Sequence, residues 1–245
     1  MKALAPDDKV LVSPRHLAGA GLDHLADAIG PLIHLFGWQT EHNAASGHVA
    51  LDSPEGSMFV DFTPSRTDGV WWTIAHHEPF WKVECTRQTP IEAVAAVTQC
   101  LPQLLGDRRH ADRIPLTTSS LADIAAQNHW AASLEGRLFT SPDGHCTLRR
   151  APDTEIAWSV EHSVHGGFGT YWSTRFTADA PPAAVTQFFA HLATSAPAER
   201  EFREIPFLAR DLGYALITPA RGAAANPHIH HAVARAAPTH TARHC

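Results

Sequence analysis

The chain repeats itself, and the repeat limits what it can become. Val49–Gly56 (VALDSPEG) lines up with Arg137–Gly144 (RLFTSPDG), and Val70–His76 (VWWTIAH) with Ile156–His162 (IAWSVEH). Phe80-Trp81 matches Tyr171-Trp172, Pro90 matches Pro181, and Gly37-Trp38 stands where His129-Trp130 stands. The matches keep their order at separations of 86 to 92 residues, so one unit of roughly 90 residues is used twice.

Within the first copy, Leu22, Leu25, Ile29, Leu32, Ile33 and Phe36 recur at helical spacing, which predicts an amphipathic helix before Trp38. In the second copy a shorter helix is expected from an N-cap at Ser119 or Ser120. Period-two alternation at Met58, Val60 and Phe62, and again at Val70, Trp72 and Ile74, predicts strands, with another from Phe80 to Arg87. A closing helix carries Ile91, Val94, Val97, Leu101 and Leu105, mirrored by Val185, Phe188, Phe189 and Leu192. The expected class is α+β: two tandem homologous modules, each an antiparallel sheet of four or five strands flanked and closed by helices. The expected boundaries are 10–108 for the first repeat with its leading helix and 112–200 for the second. A C-terminal extension follows over 201–220, then a disordered His/Ala/Pro tail over 221–245.

The element common to both copies is Ser-Pro-(Asp/Glu)-Gly: Ser53, Pro54, Glu55 and Gly56, then Ser141, Pro142, Asp143 and Gly144. Proline presets φ for the first turn position, and glycine takes the left-handed position that closes a hairpin. Serine can accept a hydrogen bond from the turn backbone. These eight residues are hairpin turns first, and an exposed binding tip second.

Two such turns, each followed by a tryptophan-bearing strand and a helix opened by proline, resemble the SPDY family, a domain of unknown function typically found in tandem in actinobacterial proteins. The resemblance covers about residues 37–195, and glycine stands in both copies where the family name has tyrosine. It implies no reaction, cofactor or catalytic residue. Tandem sheet-plus-helix units also resemble the plan of Pur-alpha and Whirly single-strand binding proteins, in which aromatics stack on bases beside a basic surface. On that plan Trp71 would be a stacking residue, and Arg149 and Arg150, standing where the first copy has Phe62 and Thr63, a basic pair.

Charge argues against phosphate backbones as the main partner. Nineteen Lys and Arg face 25 Asp and Glu, a net −6. Three arginines and no acid lie from Arg221 onward, which leaves −9 on the first 220 residues. No apolar run reaches the ~20 residues needed to span a bilayer, and the polar N-terminus is no signal peptide. Cys85, Cys100, Cys146 and Cys245 form no CxxC pair, so a reduced cytoplasm is the expected setting.

No nucleophile elbow, phosphate loop or HExxH is present. His76, His77 and His162 fall at strand ends, where neighbours point to opposite faces and do not share an ion. The tail histidines of Asn226–His231 read as adventitious, and the glycine-rich His165–Gly169 as a hairpin loop. No catalytic residue, cofactor or metal ligand is assigned. The expected function is that of a non-enzymatic protein-interaction or scaffold protein whose partner is unknown. Single-stranded nucleic-acid binding is the alternative, and an enzyme with a site not visible in the sequence the third reading.

Overall fold

A computed structural model describes residues 4–151, 154–164, 171–211 and 213–220. The glycine-rich loop, the tail histidines, Cys245 and the tail expected to be disordered lie outside these residues.

The chain opens with β1 (Lys9–Ser13), followed by two single 3-10 turns, Arg15–Leu17 and Leu22–His24. Helix α1 (Leu25–Phe36) buries Ala28, Leu32 and Phe36. It stops because Gly37 is left-handed (φ 71°), which lets the Gly37 N–H reach the Ile33 carbonyl and the Trp38 N–H that of Leu32. Five antiparallel strands follow: β2 (Gln39–Asn43), β3 (His48–Asp52), β4 (Met58–Phe62), β5 (Val70–His76) and β6 (Trp81–Thr86). Helix α2 (Ile91–Leu104) then crosses back over them. Its sides are apolar almost all round because α1 and α4 flank it while the sheet lies beneath.

The second half repeats this succession. Helix α3 (Leu121–Gln127) starts from Ser120, whose hydroxyl accepts the Asp123 N–H while the Asp123 carboxylate reaches back to the Ser120 backbone. The strands are β7 (Ala131–Ser133), β8 (Leu138–Thr140), β9 (Cys146–Arg150), β10 (Ile156–His162) and β11 (Trp172–Thr177), and α4 (Pro182–Ala193) closes them. Paired positions recur: Met58 faces His76 and Trp81 faces His76 in one half, as Cys146 faces His162 and Trp172 faces His162 in the other.

Two separate sheets were expected. The structure holds one sheet of ten strands, in the order β2-β3-β4-β5-β6-β11-β10-β9-β8-β7. β6 and β11 pair across the middle, Cys85 with Thr174, Glu84 with Arg175 and Val83 with Phe176, and α2 packs on α4 above them. A lone half would leave one of these strands as a bare edge and an apolar helix flank in water. Joining the halves removes both, and a single buried cluster runs from Trp38 through Trp72, Trp81 and Trp172 to Phe189.

The chain ends also depart from the expected boundaries. β12 (Ala198–Glu201) and β13 (Leu216–Pro219) flank β1 in a second, three-stranded sheet with its own small core of Val10, Val12, Leu17 and Ala198. The boundary expected after residue 200 therefore falls inside a strand. A short helix, α5 (Phe207–Asp211), lies between β12 and β13.

Candidate functional site

The two serine turns are built alike. Ser53 N–H donates to the Met58 carbonyl (2.9 Å), Gly56 N–H to the Ser53 carbonyl (2.8 Å), and the Ser53 hydroxyl accepts the Met58 N–H (3.1 Å). Ser141, Gly144 and Cys146 reproduce the same three bonds at 2.8, 2.9 and 2.9 Å. Both serines are buried, while Pro54, Glu55, Gly56, Pro142, Asp143 and Gly144 form exposed tips. Gly56 and Gly144 have φ of 73° and 76°, the left-handed values the turn requires.

The second tip is fastened. The His16 Nε2 lies 2.7 Å from Asp143 Oδ2, and the Trp172 indole N–H donates to the His16 carbonyl (3.0 Å). His16 is buried, its ring edge-on to Trp130 and 5.6 Å from that of His162. Burial works to raise the Asp143 carboxyl, yet His16, the Ser141 hydroxyl and the His145 N–H hold it well below the usual carboxylate range. His162 is 2% exposed, and neither of its ring nitrogens finds a hydrogen-bond partner among the described residues. Burial, then the nearby His16, pushes its pKa down to about 3, so the ring stays neutral at pH 7.

Serine, aspartate and histidine meet here, but their order does not make a nucleophile. The Ser141 hydroxyl donates to Asp143 (2.5 Å), not to an imidazole that could take its proton. The group locks the turn and docks the segment after β1.

The residues singled out for nucleic acid do not converge. Trp71 lies at a register shift in β5, half-buried against Phe62, with the Arg87 guanidinium 5.2 Å from its ring centre. β9 lies four strand steps away, ~19 Å at the usual spacing. Arg149 and Arg150 are neighbours on a strand and so point to opposite faces. Arg150 pairs with Trp158 and sits 5.8 Å from its ring, on the helix-covered side. Counting from the two turn glycines corrects the alignment by one: Arg149 stands at the position of Asp61, and Arg150 at that of Phe62.

Arg149 belongs instead to a ladder that crosses the sheet, one residue from each strand. In the first half it comprises Glu41, Ala50, Asp61, Thr73 and Glu84. Glu84 faces Arg175 across the seam, and Ser159, Arg149, Leu138 and Ser133 complete it. Their strand neighbours Leu51, Val60, Ile74, Val83, Phe176, Val160 and Leu148 are buried beneath the helices, so the ladder lies on the other face. All its members are half-buried or exposed.

Asp61 and Glu84 are held by local partners. Asp61 lies 2.6 Å from His48 Nε2 and accepts the Thr63 hydroxyl (2.6 Å), and Lys82 pairs with Glu84 at 2.8 Å. Arg149 and Arg175 form no ion pair with a described carboxylate. A shallow cavity of about 120 Å³ at the seam is lined by Asp68, Glu84, Thr86, Ser173 and Arg175. Sequence reasoning overlooked Glu84 and Arg175, although each lies three residues after a matched tryptophan, Trp81 and Trp172, and the opposite signs were there to see.

Residues 52–103 and 140–198 match the SPDY family, described as a domain of unknown function (DUF317). Each matched segment starts one residue before its turn serine, and the first runs into its closing helix and the second past it. No curated protein and no solved structure matches the chain.

Proposed function

This chain carries the SPDY domain at two segments, and we propose that it is a non-enzymatic protein-interaction or scaffold protein of an actinobacterial cytoplasm, built by duplication of one sheet-plus-helix unit. The observation that carries the reading is the two-sidedness of the ten-stranded sheet. One face is sealed by α1 to α4, and the other presents a ladder of polar and charged side chains wide enough to receive another protein. Duplication is supported by the matching strand succession and by the identical bonding of the Ser53 and Ser141 turns. The unpaired thiols Cys85, Cys100 and Cys146 fit a reducing compartment. Burial pushes Cys85 and Cys100 up to about 12, so these thiols are inert filler.

A photo-crosslinking amino acid placed at Thr73 or Ser159 on the open face, and at Gln99 on the helical face, tests this in the cell. Protein adducts are expected from the open-face positions and not from Gln99. The absence of any protein adduct at Thr73 and Ser159 overturns the reading.

The single-strand alternative has one observation in its favour: Arg149 and Arg175 stand exposed on the same open face without carboxylate partners. The acidic body and the distance of Trp71 weigh against it. Oligonucleotide anisotropy at physiological salt decides between them. Micromolar binding lost in Arg149→Ala with Arg175→Ala would promote the alternative.

A further inference from the structure

The charges of the ladder that crosses the open face are sorted by sign. Along the ladder, Glu41, Asp61 and Glu84 fall in the first half of the sheet, and Arg175 and Arg149 in the second. The seam between β6 and β11 is the point of reversal. On either side of it the order is acid, hydroxyl, acid and arginine, hydroxyl, arginine, with Thr73 and Ser159 as the hydroxyls.

A surface with this pattern is complementary to itself. The geometry points to pairing of the open face with the same face of a second copy of this chain, about a twofold axis that runs along the strands through the seam. That rotation exchanges the halves. Glu84 then lies over Arg175 of the second copy, Thr73 over its Ser159 and Asp61 over its Arg149, and the reciprocal contacts follow by symmetry.

The competing face-to-face arrangement, with the axis across the strands, sets Glu84 on Glu84 and Arg175 on Arg175. Like charges held opposite are destabilising, so charge selects one axis and fixes the register. Stacked sheets lie about 10 Å apart, a gap that Arg and Glu side chains reaching from both sides can close. Sheet twist separates the outer strands, so the contact centres on β5, β6, β11 and β10, where the seam cavity offers a recess.

Two further charges on the open face stand outside this ladder: Arg66, paired with Asp68 and 3.5 Å from the Thr73 hydroxyl, and Glu161, two residues along β10 from Ser159. Lys82 and His48 are engaged with Glu84 and Asp61 and hold those carboxylates on the face. The two arginines have no ion pair with a described carboxylate and are exposed. The inference rests on the reading of the open face as the docking surface, and it names the partner.

Sedimentation velocity on the full chain over a concentration series, at low and physiological ionic strength, tests it with two charge-reversed variants. The unaltered protein is expected to dimerise, more weakly as salt rises. Arg149→Glu with Arg175→Glu makes the ladder uniformly acidic, and Asp61→Arg with Glu84→Arg makes its central stretch from Asp61 to Arg149 uniformly basic. Each variant alone should be monomeric, with a circular dichroism spectrum like that of the parent. Mixed in equal amounts, the two should form a heterodimer.

A parent monomeric at every concentration overturns the inference, as does a dimer indifferent to both reversals or a mixture that stays monomeric. Crosslinks from Thr73 and Ser159 keep its failure separate from failure of the docking reading. An adduct to a different protein ends self-pairing alone, whereas no protein adduct ends both.

Discussion

The guanidinium of Arg200, a fully buried side chain in β12, grips the Glu92 carboxylate with two nitrogens at 2.7 and 2.8 Å. Through this contact the small sheet is clamped to the first turn of α2. Arg200 also donates to the Gly19 and Glu199 carbonyls. Charge hidden from water tolerates the loss of one partner badly, because the other is left buried and uncompensated.

Glu92→Ala should therefore lower unfolding free energy by about 3–5 kcal/mol. Burial acts to raise the Glu92 pKa, but the hydrogen bonds and charge of Arg200 more than offset it and hold it below its ordinary 4.5. A carboxyl depressed in the folded state contributes stability that is whole above 4.5 and drains away as pH falls toward the folded pKa. Denaturant melts at pH 7 and below pH 4 measure both effects, and the variant should have lost the acid-dependent part.

Gly21 lies against the same guanidinium, at φ +67°. A Cβ there would press on the Arg200 Cζ, Nε and Nη1 atoms, whereas one at Gly56, at φ +73°, would meet nothing within 4 Å. Gly56→Ala should cost only the left-handed backbone penalty, roughly 1–2 kcal/mol. Gly21→Ala should cost clearly more, since the clamp must shift as well. Equal midpoints in urea would contradict the close approach.

Removing the turn hydroxyls separates two similar sites. Ser53→Ala leaves the Met58 N–H without its side-chain acceptor and should cost about 1–3 kcal/mol. Ser141→Ala strands the Cys146 N–H and also takes a donor from Asp143, so the larger loss is expected there. Parallel thermal and denaturant unfolding of the two variants gives the comparison.

His162 makes stability depend on pH in a window of its own. A histidine held neutral in the fold, with its pKa depressed to about 3 from 6.5, binds its proton more readily once unfolded. Stability is then whole above 6.5 and declines as pH falls, by at most about 1.4 kcal/mol per pH unit. Burial depresses His191 in the same direction. Between pH 6.5 and 4.5 the depressed carboxyls are still ionised, so His162→Phe should flatten the slope there. An unchanged slope would assign the effect elsewhere.

Neighbouring tryptophans should respond unequally. Trp72 is 2% exposed, and Trp72→Ala should cost about 3–5 kcal/mol. Trp71 is half-buried at the core margin, and Trp71→Ala should cost much less. Trp158, the counterpart of Trp72, is only half-buried under Arg150 and should fall between them.

Local order was legible in the sequence because its causes are local. Helical spacing located α1, with its first residues tightened to a 3-10 turn; alternation located β4 and β5, and the Ser-Pro pairs located the hairpins. What escaped depends on residues far apart in the chain. β1 pairs with a strand some 190 residues later, and its five residues look like any short apolar run. Arg200 reads as a surface arginine until Glu92 is placed beside it. The seam was hidden because β6 and β11 carry the pattern of any half-covered strand, and alternation does not say which neighbour lies alongside. Of the open ladder, only Arg149 drew notice, and one residue of misalignment concealed its contrast with Asp61.

The seam also bears on what fusing two halves allows. Five strands standing alone, with a bare edge at the β6 position, would close it by pairing with an identical molecule across the same antiparallel contact. In such a homodimer both sides change together: a mutation to arginine at one position appears at its mate, and the face can have only one polarity. Covalent linkage frees each side to mutate alone. Glu84 can then confront Arg175, and Asp61 can answer Arg149, so one polypeptide gains a plus end and a minus end that no symmetric pair of shorter chains could encode.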